Sequence, residues 1–179
     1  GDGISNWDTS SVTSLYQTFR GATSFTEDGI SNWNLSRVNS FEQVFYGTTS
    51  LTTIPPNLGS MINIEDWSLL ALNHLSGSIP SQLTQLVNLL TFDISNNALT
   101  DKLPNDIGNL VNLTSLDVSN NALSGVIPES LSSLTSLEHL YLDNNRFEGS
   151  IHPPISSPIS RVSRSCICHL TCSKVQSLT

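Results

Sequence analysis

Asp93 and Asp117 lie 24 residues apart in near-copies of one phrase, TFDISNNAL and SLDVSNNAL. Two carboxylates set side by side are what a hydrolase uses for acid–base work, one protonated and one charged. A third copy, HLYLDNNRF, puts Tyr141 at that position, adds His139 and Asp143 around it, and follows directly on Glu138. Near the end of the chain, Cys166, Cys168, His169 and Cys172 form C-x-C-H-x-x-C, four groups of the kind that bind zinc. Neither constellation makes a reactive centre by itself. The carboxylates recur because the phrase recurs, so register alone aligns them. His74, His139 and His152 are scattered, no nucleophile sits beside a recognisable base, and there is no glycine-rich phosphate loop. The cysteine spacing matches no common structural zinc pattern, and an odd thiol count fixes no disulfide framework. The sequence therefore predicts no catalytic residue, no metal site and no cofactor.

The elements that position these side chains follow from the repeat. Leu89, Phe92, Ile94 and Leu99 fall in register with Leu113, Leu116, Val118 and Leu123, and again with Leu137, Leu140, Leu142 and Phe147. Phe92 and Ile94 flank Asp93 in an apolar–polar–apolar alternation, the period of a strand with one buried face, so Asp93 should point outward. Beyond each asparagine come Ile79-Pro80, Leu103-Pro104 or Ile127-Pro128, then apolar residues every three positions. Proline lacks a donor and fixes φ, so this half is expected to turn on the outer side without a second ordinary strand. A unit this short cannot bury its apolar face alone and must lean on its neighbours.

The phrase L-x-x-L-x-L-x-x-N-x-L-x-G-x-I-P, running over residues 73–151, resembles the plant-type leucine-rich repeat. The resemblance implies an α/β solenoid: a curved stack with a parallel β-sheet on its concave face and short helices or irregular turns on the convex one. It also implies that Asn97, Asn121 and Asn145 form a ladder, each side chain bonding main-chain groups of the adjoining coil. The physics agrees, since a buried amide without partners costs about 1–3 kcal/mol.

Residues 1–51 carry a different, 26-residue repeat, DGISNWDTSSVTSLYQTFRGATSF from Asp2 and DGISNWNLSRVNSFEQVFYGTTSL from Asp28. Ile4 and Ile30 are assigned to a short strand ending in Ser-Asn-Trp. Val12, Leu15 and Phe19, matched by Val38, Phe41 and Phe45, recur at i, i+3 and i+7 and predict a short amphipathic helix, with Thr9 or Ser10 as its cap. Trp7 and Trp33 read as core residues. This half is similar to the BspA-like surface-protein leucine-rich repeat. Residues 52–74 form an irregular connecting coil in which Ile54-Pro55, Leu58, Met61, Ile64 and Trp67 keep the apolar spacing until one extra residue precedes Asn73. That continuity favours one solenoid of about six coils, with the plant-type repeats over 75–151. Residues 152–179, rich in Pro, Ser and Cys, keep no register and are expected to be disordered. The chain opens inside a repeat without an initiator methionine or a polar capping coil, as a piece of a longer protein would.

Charge narrows the partner. Residues 1–151 hold four basic against fifteen acidic side chains, hence a net charge of −11, while Arg161, Arg164 and Lys174 lie in the tail. Duplex nucleic acid and anionic membranes are disfavoured, since phosphate affinity rests on Lys and Arg. No apolar run approaches the ~20 residues of a membrane span. Asn34-Leu35-Ser36 and Asn112-Leu113-Thr114 are N-glycosylation sequons and, with the surface-protein resemblance, point to an extracellular or cell-surface setting. The resemblance implies a non-enzymatic module binding a protein, peptide or glycan on its concave face. The outward columns there are Leu90, Thr114, Glu138; Thr91, Ser115, His139; Asp93, Asp117, Tyr141; Ser95, Ser119, Asp143; and Asn96, Asn120, Asn144. An adhesive spacer, or ice or mineral binding by the polar ribbon, are the alternatives.

Overall fold

A computed structural model of the chain describes residues 3–67 and 74–149 together with the backbone of Arg161–Val162. The architecture is a solenoid whose main sheet is parallel. Strands β1 (Asp66–Trp67), β3 (Thr91–Asp93), β5 (Ser115–Asp117), β7 (His139–Tyr141) and β9 (Arg161–Val162) lie side by side in that order. An isolated parallel bridge between Ser14 and Ser40 puts the two N-terminal coils in the same arrangement. Leu15, Phe41, Trp67, Phe92, Leu116 and Leu140 are the buried residues of successive strand segments, so six coils stack as expected. One apolar cluster runs from Leu15 to Phe147 through both repeat types.

Three sequence expectations are corrected. First, the coils of the C-terminal half do have a second short strand. β2 (Ser76–Gly77) pairs with β4 (Ala98–Leu99), and β6 (Ser124–Val126) with β8 (Arg146–Glu148), all parallel. These pieces fit between the ladder asparagine and the Ile-Pro or Leu-Pro pair, where every backbone donor is still present. The proline-led half then turns through 3₁₀ segments, Pro56–Ser60, Ser81–Gln85, Ile107–Asn109 and Glu129–Ser133.

Second, the N-terminal repeat contains neither the predicted helix nor a strand at Ile4 and Ile30. Trp7 N–H bonds Ile4 O and Trp33 N–H bonds Ile30 O in tight turns. The backbone N–H groups of Leu15, Gln17, Phe19 and Gly21 donate to Ser40, Glu42, Val44 and Tyr46 of the next coil at 2.8–3.1 Å. Donors sent to a neighbouring coil are not available to an i→i−4 helix, and apolar spacing of 3 and 4 is equally served by alternating turns. Thr9 is buried and caps nothing: its hydroxyl accepts from Asn34 N–H (2.9 Å) and donates to Asn34 O (3.1 Å) in the next coil.

Third, Trp33 is buried as expected but Trp7 is 57% exposed, stacked on Trp33 at 6.0 Å and 12°. In the first described coil this ring has a neighbour on one side only. Farther along the chain, the backbone of Arg161–Val162 pairs with β7. Asn73, the remaining tail and its Cys166, Cys168, His169 and Cys172 lie outside the described residues.

The asparagine ladder is present. Asn121 accepts from Leu99 N–H (3.0 Å) and donates to Ile94 O of the preceding coil (3.0 Å) and to Val118 O and Ser119 O of its own (3.1 and 3.2 Å). Asn145 repeats this with Leu123 N–H, Val118 O, Leu142 O and Asp143 O, and Asn97 accepts from Leu75 N–H. All three side chains are half-buried. The residue before each, Asn96, Asn120 or Asn144, has φ of 55–56°, a left-handed conformation that asparagine tolerates better than most residues. Gly108 serves packing instead: a Cβ there would collide with the backbone of Ser130 in the next coil.

Replacing Asn121 with Ala strands the Leu99 N–H and leaves the Ile94 carbonyl with its bond from Asn97 Nδ2 alone. Asn121→Ala should therefore lower unfolding stability by about 1–3 kcal/mol in urea denaturation, whereas a change of under about 0.5 kcal/mol, usual for surface sites, would mean that the ladder is ornamental.

Candidate functional site

The concave columns are assembled by the sheet's register. Thr91, Ser115 and His139 are direct partners across β3, β5 and β7, and so are Asp93, Asp117 and Tyr141. Adjacent parallel strands are about 4.8 Å apart, so each column is a row of side chains at that spacing. Thr91, Asp93, Ser115, Asp117, His139, Tyr141 and Asp143 are partly exposed and Glu138 is exposed. Ser95 and Ser119, expected to face outward, are buried at 4% and 6% exposure. Their hydroxyls instead accept from Asn96 and Asn120 Nδ2 at 2.9 and 3.2 Å. The chain has begun its left-handed bend there, and strand alternation no longer decides which way a side chain points.

One oxygen of each aspartate is committed to that bend: Asp93 Oδ1 accepts from Ser95 N–H and Asp117 Oδ1 from Ser119 N–H, both at 2.9 Å. Burial raises the Asp117 carboxyl above its ordinary value, the Ser119 hydrogen bonds oppose that rise, and the charges of Asp93 and Asp143 add to it. At the far end of the patch the His139 and Tyr141 rings stack at 6.4 Å and 21°, and His139 Nδ1 is enclosed without a hydrogen-bond partner among the described residues. The surface thus offers stacked carboxylates, an aromatic pair and a short row of hydroxyls on strands that cannot easily move. Among the described residues no three His, Cys, Asp or Glu side chains are grouped to hold a metal, and no helix is long and apolar enough to cross a membrane.

A second row of amides, on the flank entering the sheet, was not anticipated. Asn63, Asn88 and Asn112 donate through Nδ2 to Ser36 O, Ile62 O and Val87 O of the preceding coil at 3.0, 2.8 and 2.9 Å. Each stands directly before a core residue, Ile64, Leu89 or Leu113, and that repetition was the available signal. Asn112, a sequon asparagine, is therefore tied to its neighbour, while Asn34 holds Ser36 through its Oδ1, accepting from the N–H at 3.1 Å and the hydroxyl at 2.7 Å. Both asparagines are exposed.

Residues 1–75 match the family described as Mycoplasma protein of unknown function, DUF285, and residues 88–110 and 107–147 match leucine-rich repeat families. Among solved structures, the BIR2 ectodomain from Arabidopsis thaliana is similar at 33% identity and a TM-score of 0.61, over 72% of this chain and 67% of that one. The chain belongs to the leucine-rich repeat family. A leucine-rich repeat chain of this kind is also similar to the plant peptide hormone receptor RGFR1, solved in complex with RGF2, at 32% identity and a TM-score of 0.57, covering 73% of this chain and 24% of the receptor. A plant ice-binding protein matches at 25% identity and a TM-score of 0.57, over 69% of this chain and 38% of that protein. No curated protein matches. The chain thus spans about two thirds of the BIR2 ectodomain and about a quarter of RGFR1. The shared architecture is that of a protein-interaction module.

Ionising Asp117 opposes folding, because the folded chain holds its proton more tightly than the unfolded chain does. The stability given by the protonated form is present below the ordinary carboxylate range and is lost as pH rises through the raised value. Asp117→Asn keeps an acceptor for Ser119 N–H and removes the charge. It should raise the melting temperature at pH 7 by about 1–3 °C and leave it unchanged below the carboxylate range; a lower melting temperature at pH 7 would contradict the assignment.

Proposed function

We propose that this leucine-rich repeat chain is a non-enzymatic recognition module that binds an extended, cationic peptide segment across its concave face. The observation that carries the reading is the Asp93–Asp117–Tyr141 column, flanked by Glu138, His139 and Asp143. It is a carboxylate-rich strip on rigid strands. Thr91 and Ser115 supply hydroxyls along the same path. Similarity to a receptor solved with its peptide hormone supports the class of ligand, and the charge of the solenoid supports its sign. A neutral glycan could use the hydroxyls and the His139–Tyr141 rings but would leave the carboxylates unanswered.

Selection of a displayed random-peptide library on the immobilised chain should enrich lysine- and arginine-bearing sequences. Asp117→Ala and Tyr141→Ala, with the thermal transition retained, should each weaken the selected binders about tenfold, near 1.4 kcal/mol. Binders indifferent to both substitutions would refute the site. The similarity to a plant ice-binding protein favours one second reading, the ordered polar ribbon acting on ice. Growing ice crystals reshaped by the chain, with no peptide selected, would decide for it.

We infer an extracellular or cell-surface setting from the kinship to plant receptor ectodomains and from the exposed Asn34 and Asn112 sequons. Expression through a secretory pathway should yield a chain whose mass falls on enzymatic removal of N-glycans, and whose remaining glycan signal is lost in Asn34→Gln/Asn112→Gln. A secreted chain of unmodified mass would remove the sequons from the argument.

A further inference from the structure

The two repeat types meet between the second and third coils, and the sheet is interrupted there. Ser14 pairs with Ser40, and β1 pairs with β3, but among the described residues no backbone hydrogen bond joins 39–42 to 65–67. The coils are held together elsewhere. Thr53 donates to Glu27, Asn57 Nδ2 to the carbonyls of Ile30 and Trp33, and Asn63 Nδ2 to Ser36 O, while Phe41 packs on Trp67 at 6.0 Å beneath. This leaves a groove of about 720 Å³ between strand edges that elsewhere in the stack are hydrogen-bonded. Glu42, Glu65 and Asp66 stand exposed on its walls, with no hydrogen-bond or ion-pair partner for their carboxylates among the described residues, and Asn39 and Ser40 complete the strand side. Among the described residues no basic side chain lines it.

We propose that this seam receives a lysine or arginine side chain of the same extended peptide that lies across the concave columns. The inference rests on that reading of the concave face and adds a second anchor to it. Unpaired strand edges present the N–H and C=O groups that an extended chain can meet, and the three carboxylates select a cationic side chain among possible occupants. The register supplies the distance. Asp66 pairs with Thr91, Thr91 with Ser115 and Ser115 with His139, so the seam lies three strand spacings from the His139–Tyr141 pair. That is about 14 Å, which four or five extended residues span.

The probe is a fluorescein-labelled decapeptide of alternating lysine and serine, titrated by anisotropy. Glu42→Gln/Glu65→Gln/Asp66→Asn should weaken it about tenfold. A control removing the same charge from exposed positions away from the sheet, Asp101→Asn/Asp106→Asn/Glu129→Gln, should cost less than about twofold. In the wild-type chain the peptide should shift the backbone amides of 39–42 and 65–66, a readout that does not depend on any variant folding. Equal losses for the two triple variants, or unmoved seam amides, would overturn the seam anchor. Asp93→Asn/Asp117→Asn separates the two readings. Loss of binding there with an inert seam leaves the concave site standing and removes the seam, and loss at the seam alone does the reverse.

Discussion

The structure depends on one constraint: a chain that bends sharply at every coil must satisfy the backbone groups the bend exposes. In the plant-type coils a single asparagine side chain, Asn97, Asn121 or Asn145, does most of this, because an amide offers two donors and a carbonyl acceptor within a few ångströms. Asn121 ties Leu99, on the second strand of the preceding coil, to Ile94 on its first, and to the carbonyls of its own bend. Neighbouring coils therefore share a corner, and the two short ladders that leave that corner are held at fixed spacing. The leucines fill the interior, but interior packing alone would allow coils to slide. Asn63, Asn88 and Asn112 repeat the device on the opposite flank, so the coils that carry Asn88 with Asn97 and Asn112 with Asn121 are pinned at two places.

Fixed spacing is what makes the concave surface a site rather than a collection of loops. Asp117 sits beside Asp93 because the strands are in register, and that register, not mutual attraction, overcomes the repulsion between them. Burial raises the Asp117 carboxyl, the like charges of Asp93 and Asp143 on the same rigid face add to the rise, and a cationic partner would relieve that added part. The same register explains why two repeat lengths coexist. Leu15, Phe41 and Trp67 are 26 residues apart, Phe92 follows Trp67 by 25, and Leu116 and Leu140 follow at 24, yet all six occupy one buried column. The surplus residues of the longer coils are taken up outside the sheet, and at the junction the sheet side opens while the flank stays closed.

The C-terminal half of the fold was legible in the sequence because its signals are redundant: strand alternation, the Asn-Asn pair and the proline all mark the same boundaries. The N-terminal half was misread for a specific reason. Ser-Asn-Trp looks like Ser-Asn-Asn, and aligning on it put the strand at Ile4 and Ile30. The better guide was the V-x-x-L and V-x-x-F spacing of Val12–Leu15 and Val38–Phe41, which matches Leu89–Phe92. Helical periodicity misled there because it reports which side chains are buried, not where backbone donors go. At the site, Thr91, Asp93, Ser115, Asp117, His139 and Tyr141 fell where alternation placed them, and Ser95 and Ser119 did not, since alternation ends at the left-handed asparagine. The opened seam was not legible at all: it is a property of two coils meeting, and neither repeat encodes it alone.

Native-state hydrogen exchange at the Leu75, Leu99 and Leu123 amides tests the ladder most directly, because each of these N–H groups is bonded to an asparagine side chain of the next coil. If the amides hold the stack together, all three should exchange slowly and nearly together, through an opening that involves several coils. Exchange at the rate of exposed turn amides, or rates that differ widely between the three, would show coils that come apart independently and would contradict the account.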